Sequence, residues 1–316
     1  MSETHHVVIV GGGAAGIGAS LGLASLGIPH LLVERGELGG QLHAVGGLLR
    51  DVPGAEDVEA ERLCDLWRRR LDAAGVPVLR TEVAYVDVQP DAEARYALHL
   101  AGSGEVLRTR ILLLATGASP RRLGIPGEEL VPEAYTLSTS RNPERFAGLH
   151  VAIVGGGDRA LEGGLNLLPH ARQITLITRS RRLRGRPAWA ERLVSARHVT
   201  WRPETRLVRI ARDADGTLLL TLAPEGAPEE VLRVDALLLR LGMAAHVPPL
   251  GEAIASALER REDGSLRTGE GGETSLVGVY AAGDVATPSP FRSVANAWAQ
   301  GLRAAKAIAL KLWERR

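Results

Sequence analysis

Cysteine is almost missing from this chain of 316 residues, where Cys64 stands alone. One thiol excludes an intramolecular disulfide and any Cys-x-x-Cys redox or metal motif. Lysine is nearly absent as well: Lys306 and Lys311 are the only two, so arginine carries the positive charge. The formal net charge of +1 leaves no electrostatic footprint for nucleic acid or an anionic membrane. No apolar run approaches the roughly 20 residues needed to span a bilayer. No N-terminal stretch joins a basic region, an apolar run and a small-residue cleavage site, so a cytoplasmic protein is expected. No cluster of His, Cys, Asp and Glu has metal-ligand spacing, and no metal is expected. Aromatic residues make up only 3% of the chain. What remains, 45% hydrophobic and 24% charged, is ordinary for a globular protein of one large or two modest domains.

Cys64 falls in a stretch, residues 58–74, where Leu63, Trp67, Leu71 and Ala74 recur at helical spacing. It reads as a small apolar residue beside a buried helix face. The informative patterns are made of glycine. The apolar run His5-His-Val-Val-Ile-Val10 meets Gly11-Gly-Gly-Ala-Ala-Gly16 and then a small-residue helix to about Leu26. Strand, tight turn and helix in that order suit a dinucleotide. Gly11 permits the turn, Gly13 lets the backbone approach a pyrophosphate, and Gly16 allows close helix packing, with phosphates at the positive helix N-terminus. Residues 30–34 supply a second strand ending in Glu34, at the distance expected of a ribose-hydroxyl partner.

A single glycine turn before a helix also occurs for purely structural reasons, but here the unit is repeated. Ala152-Ile-Val-Gly155-Gly-Gly157-Asp-Arg-Ala160 renews the turn, Leu161 to Leu168 continues as a helix, and Gln173-Ile-Thr-Leu-Ile-Thr178 is the second strand. Glu34 and Thr178 stand at equal distances from Gly11 and Gly155. Leu112-Leu-Leu-Ala-Thr-Gly117 and Leu237-Leu-Leu-Arg-Leu-Gly242 close the two units alike. The carboxylate of Glu34 accepts from a free ribose hydroxyl and would repel a 2′-phosphate; Thr178 removes that repulsion. Behind it comes Arg179-Ser-Arg-Arg-Leu-Arg184, whose guanidiniums suit a phosphate dianion. NADPH is thus preferred to NADH at the second turn, with a solvated basic loop as the bland alternative.

Taken in order, these residues resemble the low-molecular-weight thioredoxin reductases of the pyridine nucleotide-disulfide oxidoreductase family, over almost the whole chain. The resemblance implies an α/β fold of two Rossmann-like three-layer dinucleotide-binding domains, an NADPH domain being inserted in a discontinuous FAD domain. Gly39-Gly-Gln-Leu42 is similar to the family's flavin-side loop and Asp51-Val-Pro-Gly54 to the segment after it. Leu114-Ala-Thr-Gly-Ala-Ser-Pro120 through Gly124-Ile-Pro-Gly127 resembles the crossover out of the FAD domain, and Tyr280-Ala-Ala-Gly-Asp-Val285 the return. The implied FAD contacts are Gly11, Gly13, Ala14, Ala15, Gly16, Glu34, Arg35, Gly39, Gly40, Gln41, Leu42, Asp51, Ala115, Thr116, Gly117 and Gly283. To these are added Asp284, on the ribityl chain, and Arg292, Ser293, Val294 and Ala295, where the last helix would face the pyrimidine side of the isoalloxazine. The implied NADPH contacts are Gly155, Gly157, Asp158, Arg159, Ala160, Arg179 and Arg184.

Departures from the family are as informative. Counting back from Gly155, its Cys-x-x-Cys should occupy residues 138–141, where this chain reads Ser138-Thr-Ser-Arg141. Neither end can form a thiolate. The segment from Arg141 to Gly148 is similar to thioredoxin reductase-like ferredoxin–NADP reductases, whose C-terminal extension is not matched after Leu312. Bacilliredoxin reductases carry a cysteine inside the first glycine motif, where Ala14 and Ala15 stand. Arg159 replaces a small residue of the relatives at the pyrophosphate, where it would either contact phosphate or obstruct it. No catalytic residue is assigned: His43 is either a proton donor to reduced flavin or a loop polar residue, and Tyr135, Phe291 and Trp298 either stack on the flavin or pack the core.

The expected boundaries are residues 1–116 and 245–316 for the FAD domain and 117–244 for the NADPH domain, with hinges at 120–132 and 242–249. Residues 76–88 and 96–100, and then 198–210 and 217–222, are predicted as strands of the antiparallel layers, with turns at 212–216 and 262–265. Three functions stay open. The first is an NADPH-dependent flavin oxidoreductase serving a ferredoxin, flavodoxin, redoxin or small-molecule acceptor. The others are a non-catalytic FAD- or NAD(P)-binding sensor or assembly protein, and a flavoenzyme reduced by a partner protein. The relatives imply a homodimer.

Overall fold

The computed structural model describes residues 4–46, 48–49, 52, 57–89 and 95–314. In chain order its elements begin with β1 (Thr4–Val10), α1 (Ala14–Ser25), β2 (Leu31–Glu34), β3 (Leu48–Leu49), β4 (Val58–Glu59) and α2 (Ala60–Ala73). Strands β5 (Val78–Arg80), β6 (Val83–Val88), β7 (Tyr96–Leu100), β8 (Val106–Leu114) and β9 (Ala118–Pro120) follow. Then come β10 (His150–Val154), α3 (Asp158–Leu167), β11 (Gln173–Ile177), α4 (Pro187–Val194) and β12 (Val199–Arg202). Next are β13 (Thr205–Arg212), β14 (Leu218–Pro224), β15 (Glu230–Val234), β16 (Ala236–Leu239) and β17 (Met243–Ala245). The chain ends with α5 (Glu252–Ala257), β18 (Val279–Ala281) and α6 (Val294–Trp313). It divides into two compact units: Met1–His43, Leu48–Ser119 and Ala244–Arg316 form the first, Ala44–Gly47 and Pro120–Met243 the second.

Both units are three layers deep because their central strands are apolar on both faces, as a covered parallel sheet requires. In the first unit the sheet order is β5-β2-β1-β8-β7-β6, with β18 also on β8. Val7 and Ile9 of β1 pack with Ile17, Leu71 and Ile308 of the helices, while Val8 and Val10 turn to Val83, Val86 and Leu98 on the opposite face. Helices α1 and α6 approach closely: a Cβ on Gly301 would lie 2.1 Å from the Ala15 carbonyl oxygen. In the second unit the order β12-β11-β10-β16 repeats the parallel core. Val151 and Ile153 meet Leu161 and Leu167 of α3, and Ala152 and Val154 meet Leu207, Leu220 and Leu222 of the antiparallel sheet β13-β14-β15.

Two strand expectations are corrected in the same way. Residues 76–88 and 198–210 are each two strands, of which the first (β5, β12) joins the parallel sheet against β2 and β11, and only the second (β6, β13) is antiparallel. An apolar run reads alike in both settings. The breaks are local: Pro203 lacks a ladder donor and Glu204 turns the chain at φ +49°. In the first unit the antiparallel strands share a sheet with the parallel ones, because the first half of β8 pairs with β7 and its second half with β18. The third strand of the second layer, β15, is an addition to the expected pair, because its residues 230–234 alternate polar and apolar only briefly. The helix expected within 58–74 runs Ala60–Ala73 and buries Leu63, Cys64, Trp67 and Leu71. No helix among the described residues is long and apolar enough to cross a membrane.

Three histidines tie this packing to pH. His30 is 8% exposed; its Nδ1 lies 2.9 Å from the Ile28 carbonyl oxygen and its Nε2 has no partner among the described residues. Burial pushes its pKa down, and burial does the same for His150 and His246, helped by the positive charges of Arg172 and Arg35 respectively. A base with a depressed folded-state pKa binds more protons when unfolded. Its contribution to stability is therefore complete above the ordinary histidine value of about 6.5 and is lost as pH falls below it. The melting temperature should drop between about pH 7.5 and about pH 5, and His30→Gln should shallow that drop whatever it does to stability at neutral pH. Equal slopes for the two proteins in a differential scanning fluorimetry series would contradict this account.

Candidate functional site

In the first unit the chain leaves β1 at Gly11, whose φ of +108° and missing side chain are both required: a Cβ there would sit 2.3 Å from the Ala115 carbonyl oxygen. Gly16 is equally confined, 1.8 Å from the Gly11 carbonyl oxygen. Gly13 is not. A Cβ on it would meet no protein atom within 4 Å, its φ of −81° suits any residue, and no side chain among the described residues caps the α1 N-terminus that it opens. The first amides of α1 are therefore without a side-chain cap and adjoin open space, as a phosphate site would need. The carboxylate of Glu34 stands beside it, accepting from the Gly12 amide at 2.5 Å and the Gly36 amide at 2.7 Å. Arg35 turns away to pair with Glu82 at 3.1 Å.

The structure brings the other first-unit residues to the same strand ends, apart from Asp51, which lies outside the described residues. Gln41, on the 3-10 turn Gly40–Ala44, donates through Nε2 to Asp284 Oδ2 and to the Ala118 carbonyl oxygen, both at 3.3 Å. Burial raises the Asp284 carboxyl above its ordinary value, against the charge of Arg292 and the bond from Gln41. Ser293 caps α6 through the Asn296 amide at 3.1 Å, leaving the amides of Val294 and Ala295 without a side-chain cap among the described residues. Arg292 Nε donates to the Thr287 carbonyl oxygen at 3.0 Å.

Sequence reasoning missed the groups that hold this turn. Gln300 accepts from the Gly283 amide at 2.7 Å and donates to Thr287 Oγ1 at 3.0 Å, while that hydroxyl donates to the Gly283 carbonyl oxygen at 2.9 Å. A glutamine inside the α6 pattern was the available signal. The Thr116 hydroxyl donates to the His246 carbonyl oxygen, and the His246 amide donates to that of Gly117 at 2.9 Å. Of the aromatic residues, Trp298 stacks on Trp67 at 5.0 Å and Tyr135 is buried in the second unit, donating to Glu128 at 2.5 Å. Phe291 is 70% exposed. His43 Nε2 lies 2.9 Å from the Leu38 carbonyl oxygen within its own loop.

The second turn is built the same way. Gly155, at φ +136°, would place a Cβ 2.2 Å from the Arg240 carbonyl oxygen; Gly157, like Gly13, faces open space and leaves α3 uncapped. Ala160 is buried in the third-glycine position. Asp158 accepts from the Arg186 amide at 2.8 Å. Where Glu34 stands in the first unit, Thr178 is buried, receiving Trp201 Nε1 at 3.0 Å and donating to the Ser180 carbonyl oxygen at 2.9 Å. Its loop folds onto the turn through the Arg184 amide, 2.7 Å from the Gly156 carbonyl oxygen. Arg181 pairs with Glu204 and Arg186 with Asp158, whereas exposed Arg179, Arg182 and Arg184 have no carboxylate partner among the described residues. No group of His, Cys, Asp and Glu among the described residues could hold a metal ion.

Both turns leave open space at a glycine that the protein's own packing does not require, beside a helix N-terminus without a side-chain cap, as a dinucleotide's diphosphate would need. Residues 5–301 match the family of pyridine nucleotide-disulphide oxidoreductases. The chain belongs to that family. It is a flavin-dependent NAD(P)H oxidoreductase of two Rossmann-like domains, a class that uses FAD and NADPH. It is 28% identical over 311 residues to a thioredoxin reductase of Treponema pallidum, covering 98% of this chain and 97% of the relative. It is also 28% identical over 312 residues to a ferredoxin–NADP reductase of Ignicoccus hospitalis, covering 97% and 99%. The solved thioredoxin reductase of Lactococcus lactis shares the fold, with a TM-score of 0.81 at 23% identity over 98% of this chain and 99% of that one.

The glycines of this oxidoreductase should divide by substitution. Gly11→Ala or Gly155→Ala forces a Cβ into a carbonyl oxygen and should abolish soluble folded protein. Gly13→Val should fold with an unchanged circular dichroism spectrum yet bind FAD more weakly by about 1.5–3 kcal/mol, the worth of a charge-assisted bond. Full FAD affinity in folded Gly13→Val would remove the first turn from the cofactor site.

Proposed function

We propose that residues 1–116 and 245–316 bind FAD, that residues 117–244 bind NADPH, and that electrons pass from NADPH through FAD directly to an external acceptor. The sulfur inventory carries this reading. A dithiol relay takes two thiols, and the one present, Cys64, is 1% exposed and packed beneath the flavin-side loop, where a Cβ on Gly39 would be 2.3 Å from its Sγ. In the segment where the family's dithiol is expected, its ends are Ser138 and Arg141; Ser138 and the intervening Ser140 lie hydroxyl to hydroxyl at 3.2 Å, and Ser140 accepts from the Gly46 amide at 3.0 Å. Hydroxyls hold a loop but store no electrons.

When bound, FAD would supply the redox chemistry, as a carrier able to exchange electrons singly or in pairs. The chain's own residues bind and orient. Glu34 accepts from a ribose hydroxyl, Asp284 from the ribityl chain, and the α6 amides at Val294 and Ala295 oppose negative charge on the pyrimidine side. In the second unit Arg179 and Arg184 meet the 2′-phosphate, which the neutral Thr178 admits. The relative named ferredoxin–NADP reductase favours a small electron-carrier protein such as ferredoxin or flavodoxin as acceptor, with a redoxin or a small molecule meeting the same chemistry.

Anaerobic titration tests this directly. NADPH should bleach the flavin in preference to NADH, and uptake should end at about two electrons per FAD. Arg179→Ala should shrink the preference for NADPH by roughly 1.5–3 kcal/mol. NADPH-dependent disulfide reduction through thioredoxin should remain near background, with ferricyanide or a quinone turning over. Uptake of four electrons would reveal a second redox centre and end the proposal.

A further inference from the structure

The second crevice holds a pair of arginines that 2′-phosphate recognition does not use. Arg240 directly follows β16, in the place that Ala115 fills after β8 in the first unit, and is 9% exposed. Its guanidinium donates to the carbonyl oxygens of Ala134 at 2.9 Å, Leu239 at 3.2 Å, Tyr135 at 3.4 Å and Leu137, and has no carboxylate partner among the described residues. Burial and the neighbouring charge of Arg159 bring its pKa down to about 10. Arg159, in the first turn of α3, spends one donor on the thioether of Met243 at 3.1 Å, a weak acceptor. Arg159 is exposed by surface area, yet partial desolvation still lowers its pKa, opposed in part by the charge of Glu162. Two arginines thus border one glycine turn, Arg240 through the close approach of its backbone to Gly155 and Arg159 in the first turn of α3, the one fixed by carbonyls and the other on a weak acceptor.

Strand order says which part of a ligand they face. The sheet runs β12-β11-β10-β16, and the turn leaves β10 at its centre. A dinucleotide laid across the carboxyl ends of such strands has its adenosine half toward β11, where Thr178, Arg179 and Arg184 stand, and its diphosphate over the turn. Its other half lies toward β16, where Arg240 and Met243 stand. The arginine pair therefore borders the diphosphate on the nicotinamide side, opposite the groups that read the 2′-phosphate.

We propose that Arg159 is a diphosphate clamp of the second site, exchanging its Met243 contact for the phosphate nearer the nicotinamide, with Arg240 as the fixed charge beside it. This rests on the reading of the second unit as the pyridine-nucleotide site. Bound anion relieves the repulsion between the two guanidiniums, which makes Arg159 a positive contributor to affinity and not an obstruction. Its contribution is blind to the 2′-phosphate, because the diphosphate is common to NAD and NADP.

Isothermal titration of the FAD-loaded full chain with NADP+, NAD+ and 2′-AMP separates the two arginine sets. Arg159→Ala should weaken NADP+ and NAD+ by the same factor, roughly 10- to 100-fold, and leave 2′-AMP unchanged. Arg159→Lys should recover part of the loss. Arg179→Ala should do the reverse, weakening NADP+ and 2′-AMP and sparing NAD+. Unchanged or tighter dinucleotide binding by Arg159→Ala, or a loss confined to NADP+, overturns the clamp while leaving the functional reading intact. A wild-type chain that binds neither dinucleotide overturns both.

Discussion

Everything in both units hangs on a turn with no room for a side chain. At Gly11 and at Gly155 the backbone passes so close to the strand beyond, at Ala115 and Arg240, that a single carbon would overlap a carbonyl oxygen. That proximity lets the amide after each turn strand close onto its neighbours: Gly11 N–H bonds to Val33 and Ala115 N–H to Val10, as Gly155 N–H bonds to Ile177 and Arg240 N–H to Val154. Three parallel strands are thereby pinned at their carboxyl ends, and the following helix starts with its amides aimed outward. The helix end that the turn creates must be satisfied by something, and no side chain among the described residues does so.

The repeated unit makes the fold class legible in the amino-acid sequence, since strand, glycine turn, helix and second strand recur at one spacing. Pairing direction is not legible there. β5 and β12 are short apolar runs that continue after a brief break into β6 and β13, and composition cannot tell a parallel neighbour from an antiparallel one. Only tertiary closure distinguishes them, through β2 and β11.

Legibility of the site follows the same division. Groups whose chemistry depends on sequence distance, such as Glu34 beside the Gly12 amide, can be found by counting. Groups that act through a fold-level meeting cannot. Gln300 and Thr287 clamp Gly283 from α6 and from the loop before it, and His246 reaches Thr116 with its backbone, so its side chain gives no signal. Arg240 is the clearest case. In the sequence it is one more residue in an apolar strand, and only its burial among the carbonyl oxygens of residues 134–137 shows a charge held beside the nucleotide turn.

The two copies also show how one backbone frame is given two electrostatic characters. In the first unit a carboxylate accepts from the Gly12 amide, and Arg35, next to it in the chain, pairs with Glu82. In the second, the same position is a buried threonine; guanidiniums without a carboxylate partner among the described residues lie on the β11 side, and Arg159 and Arg240 stand toward β16. Hydrogen bonding by the backbone is nearly identical in both, so it cannot choose between nucleotides. On the proposed reading the choice falls to side chains at the strand ends, where threonine in place of glutamate removes a repulsion and exposed arginines supply the attraction. With the turns alike, the two units share one backbone frame and differ in the side chains at its strand ends. On the proposed reading, electron storage is lost with the cysteine pair expected at residues 138–141, while the two glycine turns have no need of sulfur.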